Sequence, residues 1–192
     1  MPEDQMIERI LNKTGGFSGA LDASHYMRHL ASSDSLFEQL SPNEYKYRDY
    51  YLLTGIYFLH RKAITTLEEL NKISFLKEEG IVPEWIACPL LGDAQRDFLL
   101  IERIRGTENG NVIPYRQAYS SVSREEKERV VRLVGNLMER EFYCKEMLEF
   151  GAWFVVPSTG RLVLGHHAEF RSAEEPETQA LLVQRLRNLF SI

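Results

Sequence analysis

The residues with chemical reach in this chain fall in a few short clusters. Cys144-Lys145-Glu146 sets a thiol, an ammonium and a carboxylate in a row, and His166-His167 sets two imidazoles together further along. Thiolate is a soft ligand and imidazole a common partner to it, so Cys144 with His166 and His167 has the donor types of a soft-metal cluster if folding brings them together. The plainer reading is a buried thiol and two polar turn residues, because only Lys145 and Glu146 lie beside Cys144 to activate it. His25 and His29 stand one helical turn apart, the spacing of two ligands on one face, but no carboxylate or cysteine shares that turn. The residue pattern therefore leads us to expect no metal site. Gly15-Gly16-Phe17-Ser18-Gly19 is a loop by composition, with glycines that would let backbone amides approach a phosphate. His60-Arg61-Lys62 reads most simply as a solvated strand end.

The elements that must position these groups are legible to different degrees. A polar helix is expected from Gln5 to Asn12. Ser24 to Leu40 has roughly helical spacing, broken at Ser32-Ser33-Asp34, and Ser41-Pro42-Asn43 breaks the chain again. Tyr50 to Leu59 fits a strand or a buried helix. Thr66-Leu67-Glu68-Glu69 has capping-box spacing and predicts a helix to Glu79, with Leu67, Leu70, Ile73 and Leu76 available to the core and Gly80 in the left-handed position after its end. Trp85 to Leu91 and Phe98 to Ile104 read as strands around a hairpin loop at 92–97. A loop follows from Gly106 to Tyr119.

Ser123-Arg124-Glu125-Glu126 is a second capping box. It opens a helix with Val130, Val131, Val134, Leu137 and Met138 on one face, which Phe142 to Met147 is expected to close. Trp153 to Val156 and Arg161 to Leu164 flank a Pro157-Ser158-Thr159-Gly160 turn, a four-residue hairpin connection. An amphipathic helix from Pro176 to Phe190 ends the chain, carrying Leu181, Leu182, Leu186, Leu189 and Phe190.

Composition narrows the class. With 192 residues the chain is one domain or one two-lobed unit, large enough to bury a core. A net charge of -5 argues against a general nucleic-acid binder, which needs clustered Lys and Arg. No apolar run reaches membrane-spanning length, and the acidic Met1-Pro2-Glu3-Asp4-Gln5 start is wrong for a secretory signal. Two cysteines, Cys88 and Cys144, make no disulfide framework and fit reduced thiols in the cytoplasm.

The order of these pieces resembles the lipopolysaccharide kinase family, bacterial kinase-like proteins that phosphorylate inner-core sugars. The likeness covers roughly residues 55 to 171, with an echo at Gly15 to Gly19. It implies an α+β, protein-kinase-like fold: a reduced small lobe with an antiparallel sheet over residues 1–104, then a mostly helical part over 105–192 with a hairpin at 153–164. Gly15, Gly16, Ser18 and Gly19 would then correspond to the Gly-rich loop. His60 stands at the place of the phosphate-pairing lysine, with Lys62 two residues on and on the same side of a strand. Glu69 stands at the helix glutamate, Glu102 and Ile104 at the adenine hinge, Glu146 at the catalytic base and His166 at the metal-binding aspartate.

The departures set the expected function. Glu146 carries one methylene more than an aspartate base, and positioning is most of phosphoryl-transfer catalysis. No Asn, Asp or His lies between Glu146 and Val156, and an imidazole at 166 suits Mg²⁺ poorly. The chain is therefore expected to be a catalytically degenerate kinase-like protein, a pseudokinase that binds another protein and needs neither ATP nor Mg²⁺. A small active kinase acting on a sugar or protein hydroxyl, with ATP and Mg²⁺, is the second reading. A bacterial interaction protein of the immunity type is the third.

Overall fold

In the computed structural model, residues 4–54, 66–72, 74–94, 96–103, 112–139, 142–164, 170–172 and 176–192 are described. At 69, 138–139, 142–146, 170–172 and 176–179 the description is of the backbone alone. The chain is an α+β protein that divides into two compact units, residues 1–71 with 85–103, and residues 72–84 with 104–192.

The first unit begins with helix α1 (Gln5–Thr14), started by Asp4, whose carboxylate accepts the Met6 amide at 2.9 Å. Helix α2 (Ala20–Ser33) ends where Ser32 and Ser33 turn their hydroxyls onto the Arg28 and His29 carbonyls. Such back-bonding competes with the helix ladder, and the chain leaves the helix at Asp34. The helical spacing seen to Leu40 therefore stops short, and Phe37–Ser41 is strand β1 instead.

Strands β1, β2 (Glu44–Tyr47), β3 (Tyr50–Thr54), β4 (Glu84–Pro89) and β5 (Phe98–Arg103) form one antiparallel sheet in the order β1-β2-β3-β5-β4. The ambiguous stretch after Tyr50 is thus a strand through Thr54, and the two runs expected as neighbours are neighbours. A two-residue turn, Arg48-Asp49, joins the paired Tyr47 and Tyr50. Arg48 takes φ 55° there, the left-handed conformation that tight hairpins demand. Its guanidinium meets Asp4 at 2.8 Å, and Arg103 holds Asp49 at 2.5 Å, so the turn is tied to both helix and sheet.

Cross-strand pairing sorts the side chains onto two faces. Tyr47, Tyr45, Tyr50, Leu52, Leu99 and Ile101 share one face and pack with Ile7, Ile10, Met27 and Leu30 of the two helices in a single buried cluster. Within that packing Tyr45 donates to the Ser24 carbonyl at 3.1 Å and the Ser24 and Thr54 hydroxyls meet at 3.1 Å. The buried Tyr26 hydroxyl beside the cluster has no hydrogen-bond partner among the described residues.

Helices α3 (Leu67–Lys72) and α4 (Ser74–Glu78) occupy the stretch expected as one helix. Leu70 and Leu76 are buried and Leu67 is half-buried, while position 73 lies outside the described residues. Gly80 is left-handed at φ +69°. The Ile81 amide bonds Leu76 O at 2.9 Å and the Gly80 amide bonds Lys77 O at 3.1 Å. That pair is a Schellman ending, as the glycine suggested. Residues 72–84 nevertheless belong to the second unit, unlike the division at 104 expected from sequence. Arg129 reaches the Glu79 carbonyl at 2.8 Å, and the Leu164 amide bonds Ile81 O at 2.7 Å, which fastens this segment there.

The rest of the second unit holds β6 (Ile113–Pro114), α5 (Tyr115–Ala118), α6 (Arg124–Glu139), β7 (Phe142–Cys144), β8 (Trp153–Val156), β9 (Arg161–Leu164), β10 (Phe170–Ser172) and α7 (Pro176–Phe190). Part of the stretch expected as loop before Tyr119 is thus β6 and α5. β6, β8 and β9 make a three-stranded sheet, and β7 pairs antiparallel with β10. The long helix stops at Glu139; Phe142–Cys144 does not close it but forms a strand, and Lys145–Leu148 is a 3-10 turn. Gly160, at φ +66°, makes the hairpin turn as expected. α6 buries Val130, Val131, Val134 and Leu137, and also Leu133. α7 buries Leu182, Leu186 and Phe190 and leaves Leu181 exposed. Trp153 and Phe190 meet edge-on at 5.5 Å, and Tyr115 stacks on Phe150 at 5.0 Å.

Candidate functional site

The glycine-rich loop is the first candidate the structure redefines. It joins two helices, α1 and α2, rather than two strands. Three of its amides are already used: Gly16 N bonds Lys13 O, Phe17 N bonds Thr14 O, and Ser18 N bonds Asp22 Oδ2. The Ser18 hydroxyl also donates to Asp22, and those bonds hold the Asp22 carboxyl below its ordinary pKa. In return the Leu91 amide bonds the Phe17 carbonyl at 3.0 Å. A Cβ on Gly92 would stand 2.7 Å from the Ser18 carbonyl oxygen, and one on Gly19 would stand 3.6 Å from Asp97 Oδ2. The loop is docked against the β4–β5 connection, among carboxylates that repel phosphate. Gly16, Ser18 and Gly19 of the loop thus meet the protein itself, a different use from the phosphate cradle that the resemblance implied for Gly15, Gly16, Ser18 and Gly19.

Glu102 is the second candidate. Its backbone pairs with Tyr51 inside the sheet, and its side chain faces away from α1 and α2. Along that face Lys46 lies beside Tyr51, with its ammonium 5.7 Å from the ring centroid, and Tyr51 lies beside Glu102. Glu44, also buried, sits in the next row opposite Leu53. Glu102 is 8 % exposed and its Oε2 has no hydrogen-bond partner. Burial, with the Glu44 charge adding to it, pushes its pKa up to about 8. It is thus a neutral acid at pH 7. Sequence placed Glu102 at a hinge through its backbone; the buried acid was not foreseen, though a Glu between Ile101 and Arg103 in an apolar run was the available signal.

The second unit carries the Cys144-Lys145-Glu146 segment. The backbone passes from β7 into the 3-10 turn, and the Trp153 indole donates to the Met147 carbonyl at 2.8 Å, which pins the turn under β8. The side chains of Cys144, Lys145 and Glu146 are outside the description, as is that of Glu69 on α3. His60, Ile104, His166 and His167 lie outside the described residues altogether. His25 and His29 are exposed on α2, and among the described residues no cluster of ligand side chains could hold a metal. Cys88 is a free, half-buried thiol whose pKa burial raises.

One polar concave surface in this unit was not singled out by sequence. It is an open cavity of about 430 Å³ between the start of α6 and the β8–β9 turn. The Ser123 hydroxyl caps α6 by accepting the Glu126 amide at 3.1 Å, the forward half of the expected capping box. Glu126 supplies no described return bond; it accepts Arg129 through two bonds of 2.7 Å and the Leu162 amide at 2.9 Å, joining helix to hairpin. Arg129 is driven above its ordinary pKa chiefly by those Glu126 bonds.

No protein-family model, curated protein or solved structure matches this chain. Among the described residues no helix is long and apolar enough to cross a membrane.

Proposed function

We propose that this chain is a catalytically degenerate kinase-like protein of the cytoplasm that acts by binding another protein. The single observation that carries the reading is the order of its elements. A five-stranded antiparallel sheet has a helical crossover between β3 and β4; then come α6, β7, the 3-10 turn, the β8–β9 hairpin, and β10 paired back onto β7. This succession is similar to the small lobe, catalytic loop, hairpin and metal-binding turn of protein kinases. It is an analogy of fold, and the function is argued from the residues within it.

Those residues suit binding better than transfer. In kinases the phosphate-pairing lysine is carried on the third strand; the described part of β3, Tyr50–Thr54, carries none. Glu146 takes the place of the base, and His166 that of the metal-binding aspartate. Without a metal ion the charge on a transferring phosphoryl group goes unneutralised. Binding of a protein is supported by β1, an edge strand among the described residues, with Leu36 exposed just before it and Leu40 exposed within it.

The test is a thermal-denaturation panel with adenosine, ATP and Mg-ATP, followed by a phosphate-transfer assay on sugar and protein acceptors. The proposal expects no rise in Tm with Mg-ATP beyond that with adenosine, and no transfer. A Mg-dependent rise together with transfer abolished by Glu146→Ala would establish the active kinase instead.

A further inference from the structure

The geometry points to the cavity between the start of α6 and the β8–β9 turn as a binding site for a phosphomonoester. The argument rests on which donors the fold has left unspent. Arg129 and Arg161 converge on one oxygen, the Glu79 carbonyl, at 2.8 and 3.5 Å from their Nη1 atoms. The two guanidinium groups are therefore neighbours, although like charges repel. Arg129 is compensated by its paired bonds to Glu126. Arg161 has only the long contact to Glu79 and no carboxylate of its own among the described residues. Arg132, on the same wall of α6, is exposed and has no partner among them.

The hydroxyls are poised in the same sense. Ser123 Oγ accepts the Glu126 amide, and Thr159 Oγ1 accepts the Arg161 amide at 3.3 Å. Each oxygen is used as an acceptor, which leaves its proton free to donate. The mouth of the cavity thus combines two guanidiniums that lack a carboxylate partner among the described residues with two hydroxyl donors, beside the amino end of a 16-residue helix. Glu125 also lines the cavity and opposes an anion. With Glu126 neutralised by Arg129, Arg132 and Arg161 outnumber Glu125 in the lining, while the Glu79 carboxylate, 3.7 Å from Arg129, also opposes an anion. A tetrahedral dianion carries two charges and presents three terminal oxygens to guanidiniums and hydroxyls on different walls at once, whereas a carboxylate carries one charge on two oxygens in a single plane. The cavity lies within one unit, so the inference does not depend on the kinase-like reading.

The experiment is titration calorimetry of the full chain at fixed ionic strength with inorganic phosphate, a phosphoserine peptide, its unphosphorylated counterpart and acetate. Phosphate or the phosphopeptide should bind, with affinity for the phosphopeptide rising through about pH 6 as its monoester takes its second charge. The unphosphorylated peptide and acetate should not. Arg132→Gln with Arg161→Gln should weaken binding roughly tenfold or more, and Thr159→Ala less. A tighter phosphopeptide than inorganic phosphate marks a protein-borne group; equal affinities mark the free ion. Absence of binding by both probes, or binding unmoved by the double substitution with Tm unchanged, overturns the site. Because both arginines project from exposed positions, the variants should fold, and their Tm verifies it.

Discussion

Loop 15–19 and the cavity beside the β8–β9 turn both offer backbone and hydroxyl groups of the kind an anion needs, yet they use them in opposite ways. In the loop the amides are bonded to Lys13, Thr14 and Asp22, and Gly92 lets the chain close against Ser18. In the cavity the Ser123 and Thr159 hydroxyls keep a proton each, and Arg132 and Arg161 lack carboxylate partners among the described residues. Glycine content marks where a backbone can approach something; it does not say whether that partner is a ligand or the protein itself. Glu102 makes the same contrast from the acid side, a carboxyl folded inward and held neutral where the cavity's charges face out.

The largest effect should come from Glu102. Its folded-state pKa, about 8, stands above the ordinary 4.5, so between those values the folded protein holds a proton that the unfolded chain has released. Stability from this group is complete at low pH and should fall by roughly 1.4 kcal/mol per pH unit across that interval. In Glu102→Gln the slope should vanish, leaving the variant the more stable protein at pH 8. Urea unfolding from pH 4.5 to 8 reads both; parallel curves for variant and parent would show that the acid is not held neutral.

Next in size is Glu126→Gln, which weakens the paired bonds to Arg129 and the anchor to the Leu162 amide. A loss of roughly 2–3 kcal/mol is expected in the same measurement. The freed Arg129 should also make the cavity more attractive to phosphate; weaker phosphate binding would contradict the ledger of donors drawn for that site.

Gly92→Ala must displace a carbonyl oxygen at 2.7 Å and should cost about 1–3 kcal/mol. Gly15→Ala meets nothing within 4 Å and has an ordinary αR backbone, so it should be neutral or stabilising by about 0.5 kcal/mol. If instead both glycines altered nucleotide binding and neither altered Tm, the loop would be a phosphate cradle after all. The smallest effect is the response to Mg-ATP, where no gain over adenosine is expected.

Much of the fold was legible because its signals are local. Gly80 and Gly160 announce left-handed turns, and the apolar spacing of α6 and α7 announces helices. The misreadings fall where local preference was outbid. Phe142–Cys144 follows a long helical pattern, yet it pairs with Phe170–Ser172, a partner far along the chain that no periodicity reveals. Residues 72–84 look continuous with the segment before them, but Arg129 and Leu164 claim them for the second unit.

For the candidate sites the division is sharper. By itself the sequence determined the inventory: an α+β chain of modest negative charge, a glycine-rich loop and a Glu inside an apolar strand. Only the tertiary structure decided which of those groups are spent. Hydrogen-bond satisfaction and burial depend on residues distant in the chain, as when Leu91 takes the Phe17 carbonyl, Glu44 raises Glu102, and Glu126 neutralises Arg129 across a helical turn while tying down Leu162. A donor's type is written in one position, whereas its availability is a property of everything folded around it.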